Sequence, residues 1–289
     1  MANIVDYKCE TQGAGTVTPE LAEKLSLVFP DAYLKSEYLQ KVTLQQREDN
    51  GTKYARLPLC HTLEADAMGA IINYGDANFG PRAGGYALTD PEQLLTLKDI
   101  DFSTGRIAEH LDAAEKLQQA GVPVQMDITG PITIFSTLID LKHLFKAFRK
   151  RPDIIEALFA YLERNLLAFM AECRKRGVKL FSYGDSAGGV TILGPDLTER
   201  ITREFTLPLL KKMEQMLGGD GIVALCPKTT FALIGTELAQ WGELDLGEAM
   251  SYQDGVVAAL GKTTFVGETC IKNFGYRLDK GIIRTVVLK

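Results

Sequence analysis

The chain has 289 residues, 46% of them hydrophobic and 24% charged, with 27 glycines and 11 prolines, which excludes extended disorder and collagen-like structure and allows a large buried core. At 31.8 kDa it has the size of one α/β barrel, a domain that commonly takes about 250 residues. Against 37 Asp and Glu stand 32 Lys and Arg, a net charge of −5, and no basic run stands out to neutralise a phosphate backbone, so nucleic acid is set aside as a partner.

The first residues lack a basic stretch followed by an apolar one, and charges interrupt every apolar run well before the roughly 18 residues a bilayer span needs. A cytoplasmic protein with no membrane partner is expected. The five cysteines, Cys9, Cys60, Cys173, Cys226 and Cys270, show no C-x-x-C spacing. They are expected to be reduced, as buried filler or as ligands.

In chain order, Thr18-Pro19-Glu20 reads as the cap and first turn of a helix that ends near Pro30. Asp90-Pro91-Glu92-Gln93 repeats the device with a capping box. Ile107, Leu111, Ala114 and Leu117 form a 3.6-period stripe through a helix over 103–120, closed by Gly121. A short apolar run bounded by Gly and Pro then predicts a buried strand over 122–127. The alternation continues with helix 153–173, strand 178–183, helix 196–217, strand 221–226, helix 231–240, strand 244–250, helix 252–260, strand 263–268 and a last strand over 282–288.

Strands separated by helices need crossover connections and hence a largely parallel sheet. No repeat or linker divides the chain, so residues 1–289 are expected to form a single domain with an N-terminal helical extension. No Gly-rich dinucleotide loop follows the first strand, and Asp127, Asp185, Cys226 and Cys270 all fall at or just beyond strand C-termini. That favours an α/β (β/α)8 TIM barrel, whose site lies on that face, over an open doubly wound sheet.

Gly184-Asp185-Ser186-Ala187-Gly188-Gly189 invites comparison with a serine-protease nucleophile loop. The extra Ala187 and the strand-to-helix context reject it. It reads either as a Gly-rich turn that lets a substrate approach the backbone or as a plain turn. Cys226 and Cys270, with Glu248 between them, could supply two thiolates and a carboxylate to a catalytic zinc, or the two cysteines could be small buried hydrophobes. Cys60, His61, Thr62, Glu64 and Asp66 cluster after Pro58, lining a pocket or capping a helix start. His110 and His143 lie in charge-rich helical stretches and are expected at the surface.

Pro58-Leu59-Cys60-His61-Thr62-Leu63-Glu64-Ala65-Asp66-Ala67-Met68-Gly69-Ala70 resembles a segment of the corrinoid-dependent methyltransferases, the group within the uroporphyrinogen decarboxylase superfamily that contains methylcobalamin:coenzyme M methyltransferase. Gly80-Pro81-Arg82, Asp127-Ile128-Thr129-Gly130-Pro131-Ile132-Thr133, Tyr183-Gly184-Asp185 and Glu204-Phe205-Thr206-Leu207-Pro208-Leu209-Leu210 extend the resemblance over most of the chain. The arginine-containing N-terminal stretch of uroporphyrinogen decarboxylase itself is not found. The resemblance implies a barrel funnel facing a corrinoid carried by a partner protein, and a zinc ion that activates a thiol or another small methyl donor or acceptor. It implies Asp127, Tyr183 and Asp185 as catalytic, and Cys60, His61, Glu64, Gly130 and Ser186 as substrate-binding. Cys226, Glu248 and Cys270 are the implied metal ligands, because Ala224 stands where the family's zinc motif has histidine. The alternatives are a tetrapyrrole decarboxylase of the uroporphyrinogen type and a non-catalytic corrinoid-binding barrel. The sequence is compatible with a homodimer without requiring one.

Overall fold

The computed structural model describes residues 3–9 and 16–289. Seven strands make the central sheet: β1 (Ala55–Leu57), β2 (Val124–Thr129), β3 (Leu180–Gly184), β4 (Ile222–Leu225), β5 (Ala239–Asp245), β6 (Phe265–Val266) and β7 (Ile282–Leu288). Their spatial order is β1-β2-β3-β4-β6-β7-β5. The first five in that order run parallel, with Arg56 opposite Gln125, Asp127 opposite Ser182, and Ala224 opposite Val266. This is the TIM-barrel architecture expected. Its departure from eight equivalent strands lies at the C-terminal side, where β7 runs antiparallel to both β6 and β5, from Ile282 opposite Asp245 to Leu288 opposite Ala239.

Every residue of β2 is buried, as expected for a parallel strand covered on both faces. The helices α1 (Gly105–Gln119), α2 (Pro131–Leu138), α3 (Pro152–Lys175), α4 (Leu207–Leu217), α5 (Pro227–Gly235) and α6 (Tyr252–Ala258) follow strands or pack over them. In α3, Ile155, Leu158, Leu162, Leu166 and Phe169 are essentially inaccessible, each stabilising the fold by about 1.5–3 kcal/mol.

Two strand-to-helix junctions share one device. β2 ends at Thr129, Gly130 is the N-cap and Pro131 begins α2; β4 ends at Leu225, Cys226 is the N-cap and Pro227 begins α5. Proline's fixed φ and missing N–H suit the first helical turn, so each junction is abrupt and leaves its N-cap residue at the strand mouth. The same device explains a shift from the sequence expectation. The helix expected over 231–240 runs from Pro227 to Gly235, and the strand expected over 244–250 lies earlier, as β5 over Ala239–Asp245.

Within the helix expected over 196–217, residues 202–206 form a π turn between Pro195–Ile201 and α4. Pro208 has no N–H and would crowd the carbonyl four residues back, and the wider turn accommodates it. His110, expected at the surface, is 1% exposed and its Nδ1 lies 2.9 Å from the Arg106 carbonyl. Arg106 is buried on the same face, paired with Asp66, while Glu109, Asp112, Glu115 and Lys116 on the same helix are more exposed.

Candidate active site

A cavity of about 520 Å³ opens at the C-terminal ends of the parallel strands. Cys60 and His61 line it after β1, Asp127 from β2, Ser182 and Tyr183 from β3, Ala224 and Cys226 from β4, and Cys270 and Lys272 from the loop after β6. Gly80, Pro81, Arg82 and Ala83 form one rim, on a small flap that pairs Ile72 with Ala83 and Asn73 with Arg82.

The floor is ionic. Period-2 alternation along β2 puts Gln125 and Asp127 on one face. Asp127, 4% exposed, accepts hydrogen bonds from Arg56 Nη1 at 3.2 Å, from Gln125 Nε2 at 2.6 Å and from Ser182 Oγ. Burial raises the Asp127 pKa, but Arg56 foremost, then Lys272 and His61, with the Ser182 hydrogen bond, outweigh it and hold the carboxyl below its ordinary range. Lys272 Nζ donates to His61 Nε2 at 3.2 Å. Burial, followed by the Lys272 ammonium, pushes the His61 pKa down to about 4, so the imidazole is neutral near pH 7. Burial and Arg56 also lower the Lys272 pKa.

Cys226 and Cys270 arise from neighbouring parallel strands and face the same cavity. Burial pushes the Cys226 thiol up to about 12, and the nearby sulfurs of Cys270 and Cys9 add to the effect, while the backbone N–H of Lys228 opposes it. Burial, then Asp185, also keeps the Tyr183 phenol neutral, well above its ordinary pKa. Cys60 Sγ is 3.3 Å from Thr62 Oγ1. Lys228 donates to the Ser186 carbonyl at 2.7 Å, which fixes Ser186 at the wall.

Four expected site residues are placed elsewhere. Asp185 accepts from Ile132 N at 3.0 Å, Thr133 N at 2.8 Å and Thr133 Oγ1 at 2.6 Å, so its carboxylate satisfies the first turn of α2 rather than facing substrate. Gly130 does not line the cavity either. A Cβ there would lie 2.4 Å from Asp185 Cβ, and one on Gly188 would lie 2.6 Å from Asp185 Oδ2, so the glycines make room for Asp185 itself. Glu64 is fully buried, accepts from Thr129 N at 2.7 Å and braces the end of β2. Glu248 is exposed in a turn beside a separate cleft with Asn50, Lys53 and Arg277. Among the described residues no three His, Cys, Asp or Glu side chains are gathered tightly enough to hold a metal ion.

The reading by residue type missed Arg56, Gln125, Ser182 and Lys272. A signal was present for the first. An arginine between Ala55 and Leu57 in an apolar run is a charge that a buried strand carries only when it is paired.

The uroporphyrinogen decarboxylase (URO-D) family model matches residues 11–244. Methylcobamide:CoM methyltransferase MtaA of Methanosarcina barkeri is 25% identical over 231 residues, 78% of this chain and 66% of the relative. Methylcobamide:CoM methyltransferase MtbA of Methanosarcina mazei is 23% identical over 228 residues, with the same coverage of 78% and 66%. The chain therefore spans about two thirds of the length of these relatives. A solved methyltransferase from Methanosarcina mazei superposes with a TM-score of 0.63 at 23% identity, covering 78% of this chain and 65% of that one. Among the described residues no helix is long and apolar enough to cross a membrane.

Proposed function

Because the chain belongs to the uroporphyrinogen decarboxylase family, we propose that its cavity is the site of a corrinoid-dependent methyltransferase, which moves a methyl group between a corrinoid on a partner protein and a small thiol. The observation that carries this reading is the pair of thiols, Cys226 and Cys270, brought from separate strands to one cavity. The similarity to methylcobamide:CoM methyltransferases supports it.

The floor orients the small substrate. Arg56 is paired with the Asp127 carboxylate, and Lys272 brings a cation to the cavity wall. Lys272 favours a thiol that carries an anionic group, drawn toward it in a site where water screens little. Asp127 holds Arg56, and neutral His61 holds Lys272, so each cation is positioned before substrate enters. Tyr183 contributes a neutral wall.

When bound, the corrinoid supplies or takes up the methyl group, and zinc lowers the pKa of the acceptor thiol. The barrel strands offer two sulfurs of the right chemistry, one donor short of the three protein ligands a catalytic zinc usually has. No step is therefore assigned to the ion.

The test is incubation with methylcobalamin and a panel of anionic and neutral thiols, followed by loss of the methyl–cobalt absorbance and by mass detection of the thioether. Turnover that prefers anionic thiols is expected, with KM raised at least tenfold in Lys272→Met. Absence of methyl transfer, with conversion of uroporphyrinogen to less carboxylated porphyrinogens, overturns the reading in favour of decarboxylation.

A further inference from the structure

One end of the central sheet is β5. It pairs with β7 on one side and, among the described residues, with no strand on the other. Its register against β7 is unbroken from Ala239 to Asp245, and the bonds that flank it fix which backbone groups are used. Leu246 N donates to the Gly281 carbonyl at 2.8 Å, and Lys289 N to the Leu238 carbonyl at 3.0 Å. The even-numbered residues of β5 therefore form the hydrogen-bonded pairs with β7, and in an antiparallel ladder such pairs alternate with residues whose N–H and C=O point away. Ala239, Trp241, Glu243 and Asp245 direct theirs to the outer edge, where no backbone partner meets them among the described residues.

Proteins usually blunt such an edge with proline, lysine, a bulge or a covering element. The β5 sequence Ala-Gln-Trp-Gly-Glu-Leu-Asp has no proline, lysine or bulge, and Gln240, Glu243 and Asp245 are exposed. The strand is also self-complementary. Antiparallel pairing of two copies about an axis through Gly242 sets Ala239 opposite the partner's Asp245 and Trp241 opposite the partner's Glu243, so that every outward group is used in about eight backbone hydrogen bonds.

Charge selects the same register. The Arg284 guanidinium stands over the Trp241 ring, 4.1 Å from its centroid. Arg284 is opposite Glu243 within one chain, so Trp241, Glu243 and Arg284 share one face of the sheet. Pairing about Gly242 brings each Glu243 beside the partner's Arg284, and Gly242 presents no side chain to its own copy. A slip that centres on Glu243 would set the two Glu243 carboxylates against each other, which disfavours it.

We propose that this edge is a dimer interface: β5 of one copy of the chain pairs antiparallel with β5 of a second about Gly242, and one sheet runs through both. No residue of β5 lines the cavity, so the interface stands apart from the transferase reading. Sedimentation velocity of the full chain over a micromolar concentration series should show a dimer. Glu243→Pro removes one outward N–H and leaves the bonds to β7 untouched, a change that an edge strand tolerates, and should raise the dimer Kd at least tenfold with unchanged circular dichroism. Charge reversal separates contact between copies from support within one. Glu243→Arg and Arg284→Glu should each sediment as monomers, because like charges then meet across the axis. An equimolar mixture of the two should restore the dimer, since opposite charges face each other at both contacts. A monomeric wild type overturns the proposal. So does a dimer that survives Glu243→Pro and both reversals unchanged, because another face then joins the copies. Reversed variants that stay monomeric when mixed overturn the pairing about Gly242.

Discussion

Two aspartates on adjacent parallel strands, Asp127 within β2 and Asp185 just past the end of β3, have opposite fates. Asp127 faces the cavity and is bound by side chains, those of Arg56, Gln125 and Ser182. Asp185 turns away and takes two backbone N–H groups and a hydroxyl at the start of α2. Both sit where a barrel carries its chemistry, so position at a strand end does not settle a role. The donors around the carboxylate do. Backbone donors at a helix start satisfy a structural need that exists without substrate, whereas the charged network around Asp127 includes His61 and Lys272, which line the open cavity.

The largest expected effect separates these two roles. Asp127→Ala takes the carboxylate from the buried Arg56 guanidinium, 8% exposed, and from the donors Gln125 and Ser182, and should cost about 3–5 kcal/mol of unfolding free energy. Asp185→Ala removes a helix cap and should cost about 0.5–2 kcal/mol. Urea denaturation of both variants checks this. The double variant Arg56→Met/Asp127→Ala should recover part of the loss, because the buried charge that Asp127 balances is gone. Equal costs for the two single variants, or no recovery in the double, would mean that the floor is not held by this ion pair.

Much of the fold was legible in the sequence because its signals are local. The 3.6-period stripe of α1 and the capping box at Asp90, where the Asp90 side chain accepts from Glu92 N and Gln93 reaches back to the Asp90 backbone, were readable from neighbouring residues. The strand β1 was not, since three residues are too few to show a period. Its arginine becomes intelligible only beside Asp127, 71 positions later in the chain. The cavity thiols Cys226 and Cys270 were legible as strand-end residues. Lys272 and Cys9, which also line the cavity, were not, because their placement depends on packing across the molecule rather than on spacing.

A pH titration sharpens the comparison from the cavity side. His61 is neutral in the folded protein down to about pH 4, whereas an imidazole in the unfolded chain protonates near pH 6.5. The unfolded state therefore takes up the proton first. The contribution of His61 is fully present above about pH 6.5 and is lost as pH falls toward 4, with a slope of up to about 1.4 kcal/mol per pH unit. His61→Gln removes the titrating group and should flatten the decline between pH 6.5 and 4.5. Asp127 acts in the same direction but lower, since its folded pKa lies below the ordinary carboxylate range. Asp185, raised chiefly by burial, has the reverse sign: its contribution is present below the unfolded pKa and lost as pH rises through the folded one. An unchanged slope in His61→Gln would show that the decline belongs to other groups.

The smallest expected effect concerns the acid that lies outside both regions. Glu248 was expected among the metal ligands because it falls between Cys226 and Cys270 in the sequence, but it is exposed beside the cleft of Asn50, Lys53 and Arg277. Substitution of an exposed residue without a buried partner usually changes stability by less than about 0.5 kcal/mol. Glu248→Ala should stay within that range and leave metal content and methyl transfer at wild-type levels, in contrast to Cys226→Ser. A Glu248→Ala protein that lost its metal would return the carboxylate to the site and require the turn at 246–248 to reach the cavity, a rearrangement that the backbone of Glu248, packed against Gly281, opposes.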